Sequence, residues 1–567
     1  MKKIFFVFVF VLSCAFKAQV ITLIDSYTKE NVNFEQIPTI PEGQIVDNVM
    51  FATRSGLYYK RIVTNGIQLR WFSKFSDDEA IEKAVKMASF FKTALYFDNR
   101  EYKITRQLNF NNLSNFKLIG QPSTKILPAN NDRLSSYYFR FQDCSNFSIE
   151  GLYFDQNKRN LPTYLKTDYD NTNIDEKRDF NSSIFIKDSF DFELKNNSFY
   201  DLYNKSIVIY QCYKRVVVRD NYFHSGIQQQ NQRMEFLSLW QSHYANILVE
   251  NNVFDDSPNA SNNSVCGIFG FSCGNNGKLT IRNNIFNYCG RSNNGTHRLF
   301  AIDFYDDVNN FYIENNRFNN STFGVIRFDG FSNNGNIVSN YIESLYPSDT
   351  GLLDSSAHYW IGDVSKINIL NNHFIAKNST AHGIFIQNIY NNINYGVVNI
   401  MGNIFDGFKR GMLLYGNIYN FNITSNTFEN LSGTGIEYFT TVLNPDIGDK
   451  TKVGDFNISS NIIKCLKSSG CTGIQIGARD DLNNKTNIFN INQNTMIGNS
   501  GNFGVVVSSG TNLNNKVLVK ENFIQGFSTA LFLRNNKTLI KNNVFNQNTN
   551  NMLEDSTDNI KENNTTY

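Results

Sequence analysis

Apolar and polar positions along this chain follow one short rule. In "LTIRNNIF", Leu279 to Phe286, a branched apolar residue stands three places before Asn284 and an aromatic stands two places after it. The same spacing returns in "FELKNNSF", "ILVENNVF", "FYIENNRF", "INILNNHF" and "TLIKNNVF". With Asn284, the equivalent asparagines are Asn197, Asn221, Asn252, Asn316, Asn340, Asn372, Asn403, Asn426, Asn461, Asn494, Asn522 and Asn543, thirteen in all. Each has Leu, Val or Ile three places before it and Phe, Ile or Met two places after. Successive units lie 21 to 35 residues apart, a period that belongs to solenoids. Upstream of the asparagine comes a second apolar pair with a period of two, as in "SIFI", "FLSL", "FAIDF", "GIFI", "GMLL" and "GVVV". Alternation of this kind predicts strand, and nothing within the units has a helical period.

Three short strands per turn, joined by Asn- and Gly-rich corners, predict an all-β fold. It is a single-stranded right-handed parallel β-helix solenoid of thirteen or more coils. The repeated asparagine is expected in the corner itself, where it tolerates the left-handed conformation. There its amide can bond to the asparagine of the coil above. At a strand spacing of about 4.8 Å, the Ile and Phe positions should stack into buried files.

A solenoid needs capped ends. "FSDDEAIEKAVKMASFF" predicts a helix, with Ser76 and Glu79 as a capping box. Ala80, Ile81, Ala84, Val85 and Ala88 fall on one face of it, which would cover the N-terminal core. "ALYFDNREYKIT" and "FKLIG" follow as irregular first coils. The expected division is 1–18 signal peptide, 19–74 β lead-in segment, 75–550 β-helix with its cap helix, and 551–567 a polar, frayed tail.

Lys2 and Lys3 precede an apolar run from Ile4 to Leu12, which is too short to span a bilayer and fits a secretory signal cleaved before Gln19. Cys14 after "VLS" leaves an outer-surface lipoprotein as the alternative to a secreted or periplasmic protein. No other segment could span a membrane. Removing Cys14 from eight cysteines leaves seven, an odd number that excludes a complete disulfide framework. Cys465 and Cys471 are close enough to bridge. A net charge of +2 gives no electrostatic case for nucleic acid. No spacing resembles a zinc site, and the oligomeric state is left open.

The order of a D-D-x-A-I-x-x-A helix, then "LYFD…YKIT", then a run of x-I-x-x-N-x-F coils resembles the pectate-lyase-like superfamily, which includes tailspike-type β-helices. "GLYYKRIVTNGIQLRWF" is similar to the lead-in of tailspike-like members. The resemblance spans roughly residues 45 to 550 and implies an extended polysaccharide as ligand. It leaves the chemistry open, because the superfamily holds lyases, hydrolases, epimerases and non-catalytic adhesins. "AHGIF" places His382 and Gly383 as polygalacturonase-like enzymes do, but the D-D and R-I-K of that family are missing.

Strand phase then gives the residues facing outward. Lys187, Tyr210, Trp240, Phe269, Asp303, Arg327, Trp360, Gln387, Tyr415, Glu437 and Gln475 are expected in one outward row, a groove for a sugar chain. Trp240, Tyr305, His358, Trp360, Tyr415 and Glu437 are the candidate substrate-binding residues. "GIQQQNQRMEF", with Arg233 and Glu235, would wall the groove.

Acids are densest at its middle. Asp303 should neighbour Arg327 on the next coil and Asp329 should neighbour Tyr305, with Asp306 and Asp307 in the following turn. That would place the β-carbons of Asp303 and Asp329 roughly 8 Å apart, within the ~6.5–9.5 Å that inverting glycosidases hold. Arg327 would depress Asp303, making it the base and Asp329 the acid. The rival reading is β-elimination or epimerisation at a uronic acid by Arg327, His358 and Tyr305, with Ca²⁺ as a possible cofactor. Otherwise no cofactor or metal is expected. A third reading is a non-catalytic carbohydrate-binding surface protein.

Overall fold

One pass of the sequence rule makes one coil. Lys278–Arg282 forms a strand, the chain turns at Asn283 and Asn284, and Ile285–Asn287 forms a second strand. Phe300–Asn309 is the third, and Phe311–Glu314 opens the next coil. Neighbouring coils pair in parallel: Leu279 with Phe311, Ile281 with Ile313, Phe286 with Phe318, Ile302 with Ile326. Repetition builds three files of parallel strands, sheets I, II and III in the order just given. The chain is a right-handed parallel β-helix.

The computed structural model describes residues 19–25, 28–129, 137–156, 182–202, 205–225, 233–256, 264–274, 276–290, 292–293, 297–298, 300–321, 324–329, 332–344, 357–361, 366–377, 382–388, 397–416, 420–439, 455–465, 470–478, 488–509, 516–534, 538–554 and 558–567. The expected signal peptide, 1–18, lies outside them.

The asparagines form a continuous internal ladder. Asn284 Nδ2 donates to Asn316 Oδ1 at 3.0 Å and to the carbonyl of Val249 at 3.0 Å. Its Oδ1 accepts from the main-chain N–H of Asn252 at 2.9 Å and from Asn252 Nδ2 at 3.0 Å. The same set recurs from Asn197 to Asn543. The residue three places before each asparagine therefore has two tasks: its side chain fills the core, and its carbonyl accepts from the asparagine one coil on.

One expectation is corrected here. The left-handed residue of the corner is the one before the ladder asparagine: Asn196, Asp220, Asn251, Asn283, Asn315, Ser339 and Asn371 all have φ near +55°. Short polar side chains suit that position. The ladder asparagine is selected by its amide instead.

The aromatic two places on stacks from coil to coil. Phe223, Phe254, Phe286 and Phe318 lie 4.8, 4.8 and 4.7 Å apart with nearly parallel planes. Glycines at the head of sheet III leave room for this file. A Cβ on Gly267 would come 2.6 Å from the Phe286 ring, and one on Gly383 2.6 Å from Phe405.

Sheet III strands bend at this point, so that two successive residues face the core. Ala301 and Ile302 are both in it, as are Val325 and Ile326. Phe300, Asp303 and Tyr305 consequently fall on the outer side.

At the N-terminus, Val20–Ile24, Asn31–Ile37, Leu57–Arg61 and Phe51–Arg54 make a separate antiparallel sheet, in that order. The β-helix begins within the expected lead-in, since Ile67–Gln68 already pairs with Ala94–Tyr96 in sheet I. The helix Asp77–Phe90 follows, capped by Ser76, whose side chain accepts from the N–H of Glu79. Its Ala80, Ile81, Ala84, Val85 and Ala88 join the same buried cluster as the coils.

The expectation of a frayed tail after 550 is also corrected. Ile560–Glu562 and Thr565–Thr566 add strands to the stack, and Asn564 Oδ1 accepts from Asn543 Nδ2 at 3.0 Å. Lys561 stands where the other coils carry Leu, Ile or Val, and it is exposed. Cys465 and Cys471 form a disulfide, while Cys144, Cys212, Cys266, Cys273 and Cys289 are buried thiols. Burial pushes Cys212 and Cys273 up to about 12, far from nucleophilic.

Candidate functional site

The outer side of sheet III carries two adjacent columns, not the single row expected. Lys187, Tyr210, Trp240, Phe271, Tyr305 and Asp329 are in register in one. Phe269, Asp303, Arg327, Trp360, Phe385, Leu413, Glu437 and Gln475 are in register in the other, two residues upstream. Gln387 pairs with Tyr415, and Tyr415 with Phe439, along the line of the first. A period of two cannot separate residue i from residue i+2, since both face outward.

The two columns differ in environment. The first is half-exposed at Tyr210, Trp240, Phe271 and Tyr305. Trp240 stacks on Phe271 at 5.3 Å, and Lys187 Nζ lies 5.4 Å from the Tyr210 ring. The second is buried at Phe269, Asp303, Arg327 and Glu437, which are 3%, 0%, 5% and 5% exposed.

Among the described residues, two buried ion pairs and one partly buried pair span neighbouring coils on this side. Lys205 Nζ lies 2.9 Å from Glu235 and 5.3 Å from the Trp240 ring. Arg327 grips Asp303 through two bonds, Nε to Oδ1 at 2.7 Å and Nη2 to Oδ2 at 2.9 Å. Arg410 Nε lies 2.6 Å from Glu437, with its Nη1 3.5 Å from His382 Nε2. The expected adjacency of Asp303 and Arg327 holds, and so does that of Tyr305 and Asp329.

The role expected of Asp303 does not hold. Both its oxygens are occupied by Arg327, Oδ2 also accepts from the main-chain N–H of Phe300 at 3.3 Å, and none of it meets solvent. A general base must reach a water or a substrate proton. Asp303 instead holds Arg327, which donates to the Tyr305 hydroxyl and lies 4.3 Å from that ring. The same pairing removes Arg327 as an open carboxylate clamp for a uronic acid. Glu437, expected to touch substrate, is likewise tied to Arg410.

Asp306 and Asp307 sit inside the strand Phe300–Asn309 rather than in a turn. Pairing shifts there between Phe271 and Cys273, a bulge opposite Ser272. Trp360 follows Arg327 in register, on the strand Ala357–Ile361 that also holds His358. The side chains of Asp306, Asp307, Asp329, His358, Trp360 and Tyr415 lie outside the described residues. Among the described residues no three His, Cys, Asp or Glu converge on a position that could hold a metal ion.

Lys205 and Arg410 were not expected to pair with acids, nor His382 to lie against Arg410. The signal was available: Lys205, Glu235, His382 and Arg410 each stand two residues before a core residue of sheet III, Ile207, Leu237, Ile384 and Met412.

No protein-family model matches the chain, and no curated protein sequence matches it. Solved structures similar to it include the tailspike protein of Acinetobacter baumannii phage AM24, at 12% identity over 73% of this chain, TM-score 0.37. The chain spans 63% of that tailspike's length. The A-module of the Azotobacter vinelandii mannuronan C-5 epimerase AlgE4 is similar at 12% identity, over 64% of this chain and 94% of its own, TM-score 0.35. PfbA, a surface adhesin of Streptococcus pneumoniae, is similar at 13% identity, over 78% of this chain and all 100% of its own, TM-score 0.39. The likeness is one of fold. No described helix is long and apolar enough to cross a membrane.

Proposed function

We propose that this is an exported, polysaccharide-directed protein whose glycan lies lengthwise on the outer side of sheet III. The observation that carries the reading is the half-exposed column Tyr210, Trp240, Phe271 and Tyr305. Aromatic faces at each coil, about 4.8 Å apart, offer successive stacking surfaces to a chain of sugar rings. The ion pairs beside the column fix it from behind. A disulfide between Cys465 and Cys471 suits an oxidising, extracytoplasmic compartment.

Glycosidic cleavage is the reaction we assign to this face, as an inverting hydrolase. The bond to be cut lies near Tyr305, with Asp329 as one carboxylate and Asp306 or Asp307 as the other, and Asp303 positions Arg327 and Tyr305 without touching substrate. Hydrolysis needs two carboxylates of different proton affinity, and these acids flank Tyr305 in sequence and in register.

The test is a panel of neutral and acidic polysaccharides incubated with the protein, reading reducing ends and the ultraviolet absorbance of unsaturated uronates. New reducing ends without that absorbance, lost in Asp329→Asn, support hydrolysis. Absorbance on a polyuronate supports the lyase alternative. Binding weakened by Trp240→Ala without any product leaves a carbohydrate-binding surface protein, and no binding to any polysaccharide overturns the reading.

A further inference from the structure

Sheet II has an outer side of its own, at the first and third residues after each ladder asparagine. Some coils place lone side chains there, such as Ile285, Ile404 or Thr427, and Tyr341 meets His373 edge-on at 5.4 Å with Arg317 5.0 Å from its ring. The longest aromatic run lies on four successive coils nearer the N-terminus. Tyr153, Tyr200, Tyr222, His224 and Asp255 come together on one surface, all of them half-buried.

Their geometry is that of a platform. Tyr153 and Tyr200 stack with centroids 5.0 Å apart and planes 17° apart. Tyr200 lies 5.6 Å from Tyr222 and meets the His224 ring edge-on at 5.2 Å. The far end is a carboxylate: Tyr222 donates to Asp255 Oδ2 at 3.0 Å, and His224 Nδ1 lies 3.6 Å from the same oxygen. The His224 and Asp255 side chains keep 28% and 26% of their surface in solvent. Burial first, then the bond and charge of Asp255, push the Tyr222 phenol upward, so Tyr222 stays a donor and holds the carboxylate in place.

Cross-strand aromatic pairs also stabilise sheets. Stability alone gives no reason for a hydrogen-bonded Tyr–Asp–His set at the end of the row, open to solvent. A run of aromatic faces ending in a fixed carboxylate is what a sugar chain requires: C–H faces stack on the rings, and a carboxylate accepts from adjacent hydroxyls. A negative group at the end of the platform repels uronates and admits neutral sugars.

We infer that Tyr153, Tyr200, Tyr222, His224 and Asp255 form a second carbohydrate site, for an uncharged oligosaccharide, on sheet II and separate from the sheet III face. It rests on the proposed function only in taking carbohydrate as the ligand class. The site holds a glycan and performs no chemistry on it.

The experiment is binding of the full chain to soluble β-glucan, mannan and xylan, with polygalacturonate and alginate as anionic comparators. Tyr200→Ala, Tyr200→Phe, Asp255→Asn and Trp240→Ala are compared with the wild type, with melting temperatures measured for each. Tyr200→Ala and Asp255→Asn should weaken a neutral glycan about tenfold, while Tyr200→Phe retains binding because the ring face is kept. Neutral binding that survives both Tyr200→Ala and Asp255→Asn but falls in Trp240→Ala overturns this site and leaves the sheet III reading standing. Loss in Tyr200→Ala with Trp240→Ala unaffected supports this site and counts against the sheet III face. A wild type that binds no neutral glycan overturns it as well.

Discussion

Replacing Asn284 by Ala is the sharpest test of what holds the coils together. The side chain takes part in five hydrogen bonds, to Asn316, Val249 and Arg282 as donor and from two nitrogens of Asn252 as acceptor. Asn284 is 0% exposed, so water cannot replace them. Truncation deprives the main-chain N–H of Asn252 and the carbonyl of Val249 of this partner, and each stranded buried group costs about 1–3 kcal/mol. The expected destabilisation is therefore about 4 kcal/mol, once a small cavity is added.

The control is Asn564→Ala in the last coil. It makes the same kind of bonds to Asn543 and Ile540 but is only partly buried. Solvent can take over those bonds, and the cost should stay near 1 kcal/mol. Urea unfolding read by circular dichroism gives the two values. Because a solenoid is stabilised by nearest-neighbour contacts, hydrogen exchange of peptides covering 249–256 and 279–286 checks that the loss is local. Equal costs for the two variants, within about 1 kcal/mol, would refute the view that the ladder is a principal source of stability.

Three further outcomes follow from the same geometry. Asp303→Asn should lower stability by about 3–5 kcal/mol, because it removes the carboxylate facing a buried arginine, whereas the double change Asp303→Leu with Arg327→Met should cost far less; a destabilised single variant and a tolerated double one in thermal melts identify a structural pair. Asn283, at φ +56°, should accept Gly with little change in melting temperature, while Val should cost about 1–2 kcal/mol. Glu82 is bonded by Arg106 at 2.6 Å; burial raises its carboxyl, but the Arg106 bond and charge outweigh burial and hold it below its ordinary 4.5. A depressed folded value means the stabilisation is present above the unfolded value and lost as pH falls through the folded one, so the melting-temperature gap between wild type and Glu82→Gln should be present at neutral pH and close in acid below 4.5.

The fold was legible because its rule is local. A residue three before the asparagine and another two after it define one corner and two strands, and the ladder bonds between Asn252, Asn284 and Asn316 repeat that definition without exception. The helix at Asp77–Phe90 was legible from Ser76 and its five apolar positions for the same reason. What the sequence hid at the corner was which of two neighbours is left-handed. "NN" in "RNNIF" does not distinguish Asn283 from Asn284; "VSNYI" and "ITSNTF" do, since serine takes the first place and asparagine always the second. The strand Ile560–Glu562 was hidden because Lys561 breaks the apolar rule that the other coils keep.

The site was less legible, and the cause is physical. Alternation tells which side of a strand a residue occupies, but it does not tell how deep that side lies. Asp303 faces outward and is buried; Tyr305, two residues on, faces the same way and is half-exposed. Depth on the outer side is set by what stands over each column and by the bend that turns Ala301 and Ile302 inward together, and neither leaves a periodic mark. A carboxylate at such a position is therefore judged by its partners. Asp303 is held by two bonds from one guanidinium, an arrangement that occupies both of its oxygens. Asp255 has one phenol donor and more than a quarter of its side chain in water, which leaves acceptor capacity for a ligand. Asp303 thus marks a fixed, buried point of the outer face, and the capacity for binding lies where aromatic rings and carboxylates remain in contact with solvent.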